Sequence, residues 1–249
     1  CLQNFTTEGI PNFWPIQRHH PDAVTKLAHY RPIAEFSRCH GFSSQPLELA
    51  PILPAGGTCV LSIAGVVLLP GAGGTKEHPT LCALEEALAP LPVVRHEFSY
   101  QREGKRIPPL APKLVSELAE DCQSISAELN CDPGRLIFGG RSMGGRVCSM
   151  AVAEGMPAAG LILLSYPLHP PNKPKKLRVD HFGEINVPCL FVSGNNDPFG
   201  SPNEFKNHFD RINGDVSAEF LEGGRHDPSN RSHKARIIET VSGWLAEVF

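Results

Sequence analysis

Three residues spaced along the chain have the types needed for acyl transfer: a serine in a glycine-dense turn, an aspartate before a proline, and a histidine after a glycine pair. The serine is Ser142, in Gly140-Arg-Ser142-Met-Gly144, a G-x-S-x-G pattern that holds a hydroxyl out on a strained strand-to-helix turn. Small residues on both sides are required because a Cβ at either glycine would collide where strand and helix converge. A serine hydroxyl is a poor nucleophile near neutral pH, so a base must take its proton and a third group must orient that base. His226, after Gly223-Gly224, has the type and place for the base, and Asp197, in Gly194-Asn-Asn-Asp197-Pro, for the orienting carboxylate. The oxyanion needs backbone N–H donors. Met143 opens the next helix, and Ala72 or Gly73 lies in the loop Pro70-Gly-Ala-Gly-Gly74. That loop is no phosphate cradle, since Gly74-Thr75-Lys76 inverts the Gly-Lys-Thr order of a P-loop.

Plainer roles are open to the same residues. An aspartate before proline is often a turn former or helix cap, and a histidine beside two glycines is often a loop residue. His169 is a rival base, with Asp180 and Glu184 rival acids. Arg141 and Arg146 flank the nucleophile, where they would orient an anionic group or simply be solvated. Arg141, Tyr166 and His169 are assigned to substrate binding, the last two through the stiff turn Tyr166-Pro-Leu-His169-Pro-Pro171.

The elements that must position these residues alternate. Apolar runs at 58–69, 93–98, 136–138, 160–165, 189–193 and 217–221 read as strands. Helical spacing appears at 79–88, 113–129, 147–153, 204–212 and 231–249, and 100–109 reads as a charged loop. Such alternation implies an α/β fold with a mostly parallel, doubly wound sheet flanked by helices. Right-handed crossovers bring the C-terminal strand ends to one edge, where ligands bind, and the loops carrying 70–74, Ser142, Asp197 and His226 all follow strand ends.

Composition narrows the function. With 249 residues one domain suffices, and a net charge of -3 supplies no electrostatic footprint for nucleic acid or an anionic membrane surface. The eight cysteines show no C-x-x-C spacing and fall partly inside apolar segments, so they read as reduced thiols in a cytosolic protein. No run is long enough to span a membrane. Residues 1–56 carry seven prolines and four histidines without clean periodicity, so an irregular or non-native N-terminal extension precedes a domain at 57–249. Deleting 1–50 should therefore cost little stability. His19-His20 lacks the ligand spacing of a metal site, and neither metal nor cofactor is expected.

Gly139-Gly-Arg-Ser-Met-Gly-Gly-Arg146, Ser165-Tyr-Pro-Leu-His169, Phe191-Val-Ser-Gly194 with Asp197, and the Gly223-Gly-x-His226 loop resemble the hydrolase-like domains of testis-expressed protein thirty and NSL complex subunit three, and more distantly the dienelactone hydrolases. The resemblance covers residues 66–249. It implies an α/β-hydrolase fold with Ser142, Asp197 and His226 as its triad. It does not imply a substrate. Two departures stand out: Pro70 replaces the histidine many relatives carry before this glycine loop, and residues 1–56 lack the two antiparallel strands with which the fold usually starts. The expected activity is serine hydrolysis of an ester-like or activated acyl bond in a small molecule. The alternative is a catalytically silent binding or scaffold module.

Overall fold

A computed structural model describes residues 30–32, 62–228 and 230–249. Its centre is a sheet in the order β1-β7-β6-β5-β4-β2-β3. The strands are β1 (Tyr30–Pro32), β2 (Gly65–Leu69), β3 (Val93–Arg95), β4 (Leu136–Arg141), β5 (Gly160–Leu164), β6 (Cys189–Gly194) and β7 (Val216–Leu221). Every pairing is parallel, so all C-terminal strand ends share one edge. β1 falls inside the segment expected to be irregular and pairs with β7 at the sheet edge; the remainder of 1–56 lies outside the described residues.

The helices are α1 (Pro79–Ala87), α2 (Ser99–Arg102), α3 (Ala111–Glu128), α4 (Met143–Ala153), α5 (Pro202–Phe209) and α6 (Arg231–Val248). Side chains alternate across a strand, and that alternation sorts the core into two layers. Val67, Leu69, Phe138, Leu161, Leu163 and Phe191 pack with residues of α3, α4 and α5. Val66, Leu68, Ile137, Ile162, Leu190 and Val192 pack with α1 and α6. Because both faces are covered, the central strands read as unbroken apolar runs. Each such side chain, fully buried, contributes about 1.5–3 kcal/mol.

Two boundaries differ from the sequence expectation in ways that matter for the site. α4 begins at Met143 rather than near Val147. Gly144 and Gly145 are poor helix formers, each costing roughly 1 kcal/mol against alanine, but they are the residues that let the helix press against the sheet. The expected loop at 100–109 begins instead with the short helix α2.

Candidate active site

Ser142 sits between β4 and α4 with φ 52 and ψ -115, a conformation that costs a non-glycine residue about 1–3 kcal/mol. Tight packing enforces it. A Cβ at Gly140, where φ is +153, would stand 2.1 Å from the Leu69 carbonyl oxygen, and one at Gly144 would stand 2.5 Å from that oxygen and 2.6 Å from the Pro70 carbonyl oxygen. Neither glycine tolerates a side chain without moving β2 or the loop after it. The Ser142 N–H donates to Leu164 at 2.8 Å, tying the turn to β5.

Ser142 Oγ lies 2.8 Å from His226 Nε2, and His226 Nδ1 lies 2.8 Å and 3.1 Å from the two carboxylate oxygens of Asp197. The Asp197 carboxylate is completely buried, whereas the His226 ring keeps a partly open edge. The two loops are laced together. Asn195 and Asn196 donate their backbone N–H groups to Leu221 and Gly224, and the Asn195 side-chain oxygen accepts from the N–H of Gly223. Gly194 and Gly224 touch so closely that a Cβ on Gly194 would lie 2.2 Å from the Gly224 carbonyl. The paired glycines in the two loops thus bring acid and base within reach of each other. Asp197 also accepts from the Phe199 N–H at 2.9 Å, and the Phe199 ring stacks on His226 at 4.0 Å between centroids. This face-on contact holds the imidazole plane.

The candidate oxyanion donors are also braced. Tyr100 Oη donates to the Ala72 carbonyl at 2.8 Å and lies 3.9 Å from Met143 Sδ. Burial pushes the Tyr100 phenol up to about 12, so it stays a donor across the working range. Gln101 Nε2 donates to the carbonyls of both Gly71 and Gly74 at 3.0 Å, while its oxygen accepts from the Phe98 N–H. With these carbonyls held, the loop cannot turn its peptide planes freely, and Ala72 stays closer to the enclosed end than the exposed Gly73. Tyr100 and Gln101 were not legible as site residues. Their segment is short and charged, and nothing in its spacing marks a brace.

The three residues assigned to substrate contact each have partners within the fold. Tyr166 is wholly buried, and its hydroxyl donates to the Arg178 carbonyl at 2.7 Å. His169 is 5% exposed; its N–H donates to Phe199, its Nδ1 lies 2.9 Å from the Pro170 carbonyl, and its Nε2 lies 3.2 Å from Glu204. It is a strut behind the Asp197 turn. Arg141 pairs with Asp227 at 3.2 Å and reaches the His226 carbonyl at 3.3 Å, so it anchors the histidine loop instead of waiting for an anion. Asp180 is exposed and Glu184 lies in the short turn Phe182–Glu184; neither touches the Ser142–His226 pair. Among the described residues no group of three His, Cys, Asp or Glu side chains is arranged to hold a metal ion.

The segment after β5 contributes a half-buried histidine. His181 Nε2 lies 2.8 Å from Ser149 Oγ, and burial, reinforced by the charge of Arg146 and opposed by Asp180, pushes its pKa down to about 4. Folding therefore favours the neutral ring. The unfolded chain binds the extra proton between about pH 6.5 and pH 4, so this contribution is complete above that window and is lost as the pH falls through it. Urea unfolding of wild type at pH 7 and pH 4.5 is expected to show a loss about 2 kcal/mol larger than the same comparison for His181→Gln. Equal losses in the two proteins would show that the ring is hydrated.

Residues 62–243 match the family model described as "Alpha/beta hydrolase domain". Among solved structures, Est1E from Butyrivibrio proteoclasticus superposes with a TM-score of 0.59 at 16% identity, covering 75% of this chain and 88% of that one. A monoacylglycerol lipase from Paleococcus ferrophilus gives 0.58 at 14% identity, covering 76% and 96%. A putative dienelactone hydrolase from Klebsiella pneumoniae gives 0.56 at 14% identity, covering 75% and 88%. At these identities the likeness is one of fold.

Proposed function

This chain belongs to the α/β-hydrolase family, and from that premise we propose that it is a serine hydrolase cleaving an ester-like or activated acyl bond. The observation that carries the reading is the hydrogen-bonded series from Ser142 through His226 to a buried Asp197, built on a strained serine. Ser142 Oγ attacks the acyl carbon as His226 Nε2 takes its proton. The oxyanion is held by the N–H groups of Met143 and Ala72, and the leaving alcohol departs with the proton from His226. Water then repeats the sequence on the acyl-enzyme, with His226 again as base and Ser142 as leaving group. Asp197 fixes the Nδ1–H tautomer and stabilises the imidazolium.

The closer kinship to testis-expressed protein thirty and NSL complex subunit three, carried by G-R-S-M-G-G-R and S-Y-P-L-H, belongs to the same proposal. So does a cytosolic setting, in keeping with free thiols at Cys82, Cys122, Cys131, Cys148 and Cys189. Among the described residues no helix is long and apolar enough to cross a membrane.

A fluorophosphonate probe tests the reading directly. Wild type should be labelled covalently and Ser142→Ala should not. Equal labelling of both proteins, or of neither, would reject the serine-hydrolase reading, and the second result would favour a catalytically silent binding module.

A further inference from the structure

Most arginines that brace this fold have a carboxylate beside them. Arg95 pairs with Glu77 and Glu85, Arg141 with Asp227, and Arg236 with Glu219 and Glu239. Arg146 and Arg178 break the rule. Both are half-buried, and among the described residues no carboxylate lies within ion-pair distance of either.

Arg146 stands one helical turn from Ser142, and Arg178 lies within electrostatic reach of Arg146. Arg146 lies on the first turns of α4, and its N–H donates to the Ser142 carbonyl at 3.1 Å. Its guanidinium lies within electrostatic reach of Tyr166, Arg178 and His181. Its Nε is buried without an acceptor. Arg178 is brought back to the end of β5 by the fold of 166–178: its N–H donates to Leu168, its carbonyl accepts from Tyr166 Oη, and one guanidinium nitrogen lies 3.4 Å from the Pro167 carbonyl. Tyr166 lies within the electrostatic reach of both arginines.

Two cations held together at a partly desolvated wall repel each other, and an unpaired buried N–H adds to the cost. Their neighbours offer hydrogen bonding but no counter-charge: the Tyr166 hydroxyl accepts from the Arg146 side chain yet stays neutral. His181 is held neutral, partly by Arg146, and the Tyr166 hydroxyl spends its proton on the Arg178 carbonyl. Burial, and after it the charge of Arg146, lower the pKa of Arg178, with Tyr166 opposing them. The arrangement becomes favourable when an external oxyanion supplies that charge, because guanidinium donors pair with planar oxygen anions at short distance.

We propose that Arg146 and Arg178 form an anion subsite one helical turn from Ser142, which takes a carboxylate or phosphate carried by the substrate. This deepens the hydrolase reading by naming the substrate class, an anionic acyl compound, and it rests on that reading only for the bond that is cleaved. It moves anion recognition from Arg141, which is occupied by Asp227, to a pair whose second member lies 36 positions beyond Ser142 in sequence.

Calorimetric titration of the full chain at low salt, with glutarate in one arm and inorganic phosphate in the other, tests the subsite without any turnover. Wild type should bind at least one of them. Arg146→Gln and Arg178→Gln should each weaken that binding about tenfold or more, the worth of one hydrogen-bonded charge. Arg236→Gln removes the same charge elsewhere and should change it less than twofold. The preferred arm identifies the group. Mono-p-nitrophenyl glutarate and p-nitrophenyl butyrate supply a kinetic ratio: wild type should favour the anionic ester in kcat/KM by about tenfold or more, and Arg178→Gln should bring the ratio toward one. Absence of binding in both arms, or equal weakening by Arg236→Gln, would overturn the subsite. Failure of both esters to turn over, together with absent probe labelling, would remove the hydrolase reading and leave the titration to decide the anion site.

Discussion

His226→Ala is expected to lower kcat on an activated ester by about three orders of magnitude or more, since loss of a triad base in other enzymes costs up to ~10⁶. The argument rests on reach. Nε2 of His226 is 2.8 Å from Ser142 Oγ, and its Nδ1 is held by a fully buried carboxylate, so the ring is oriented to take the serine proton and to keep it as an imidazolium. Removing the ring leaves a buried Asp197 without its partner and Ser142 without a base. His169 gives the contrast. Its ring bonds to the Pro170 carbonyl and faces Glu204, behind the Asp197 turn, so His169→Ala should cost about 1–3 kcal/mol of stability. Its kcat loss should be far smaller than that of His226→Ala. Steady-state kinetics and urea unfolding on both variants separate the roles. A kcat loss confined to His169→Ala would reassign the base.

The order of strands and helices was legible because each central strand is buried on both faces and reads as an apolar run, while each covering helix shows its own period. The meeting of Ser142, Asp197 and His226 was legible for a further reason: strained turns at strand ends demand particular residues, and glycines, asparagines and a proline mark them. The braces were not. Tyr100 and Gln101 act through contacts with a loop 27 to 30 positions earlier, and neither burial nor spacing in their own segment reports those contacts. Arg141 and Arg146 look alike in sequence, one residue before Ser142 and four after it. What distinguishes them is Asp227, which arrives from 86 positions away and engages only the first. The packing of Tyr166 and His169 was not legible for a related cause, since a proline-stiffened turn after a strand can line a pocket or plug the sheet edge. Here it plugs the edge, with Tyr166 packed among Phe182, Phe191 and Phe205.

Gly144→Ala and Gly243→Ala make the same chemical change inside two helices and should move stability in opposite directions. Helix propensity alone favours alanine over glycine by about 1 kcal/mol in each case. At Gly243, in α6, a Cβ would meet nothing within 4 Å, so propensity should dominate and the variant should gain about 0.5–1 kcal/mol. At Gly144 the new Cβ would stand 2.5 Å and 2.6 Å from the carbonyl oxygens of Leu69 and Pro70. Those atoms belong to backbone, not to a flexible side-chain tip, so relief requires α4 to lift or the loop at 70–74 to withdraw. Overpacking of this kind typically costs 1–3 kcal/mol and occasionally more, and a contact this short belongs at the upper end, which outweighs the propensity gain. The same shift moves the N–H of Met143 away from that of Ala72 and displaces Ser142 from His226. A misplacement of about 1 Å at a reacting group costs on the order of 100-fold in rate, so kcat at a temperature where the variant remains folded should fall by about that factor. Thermal unfolding and ester hydrolysis measured on both variants decide the matter, and a stabilised, fully active Gly144→Ala protein would show that α4 is not pressed against the end of β2.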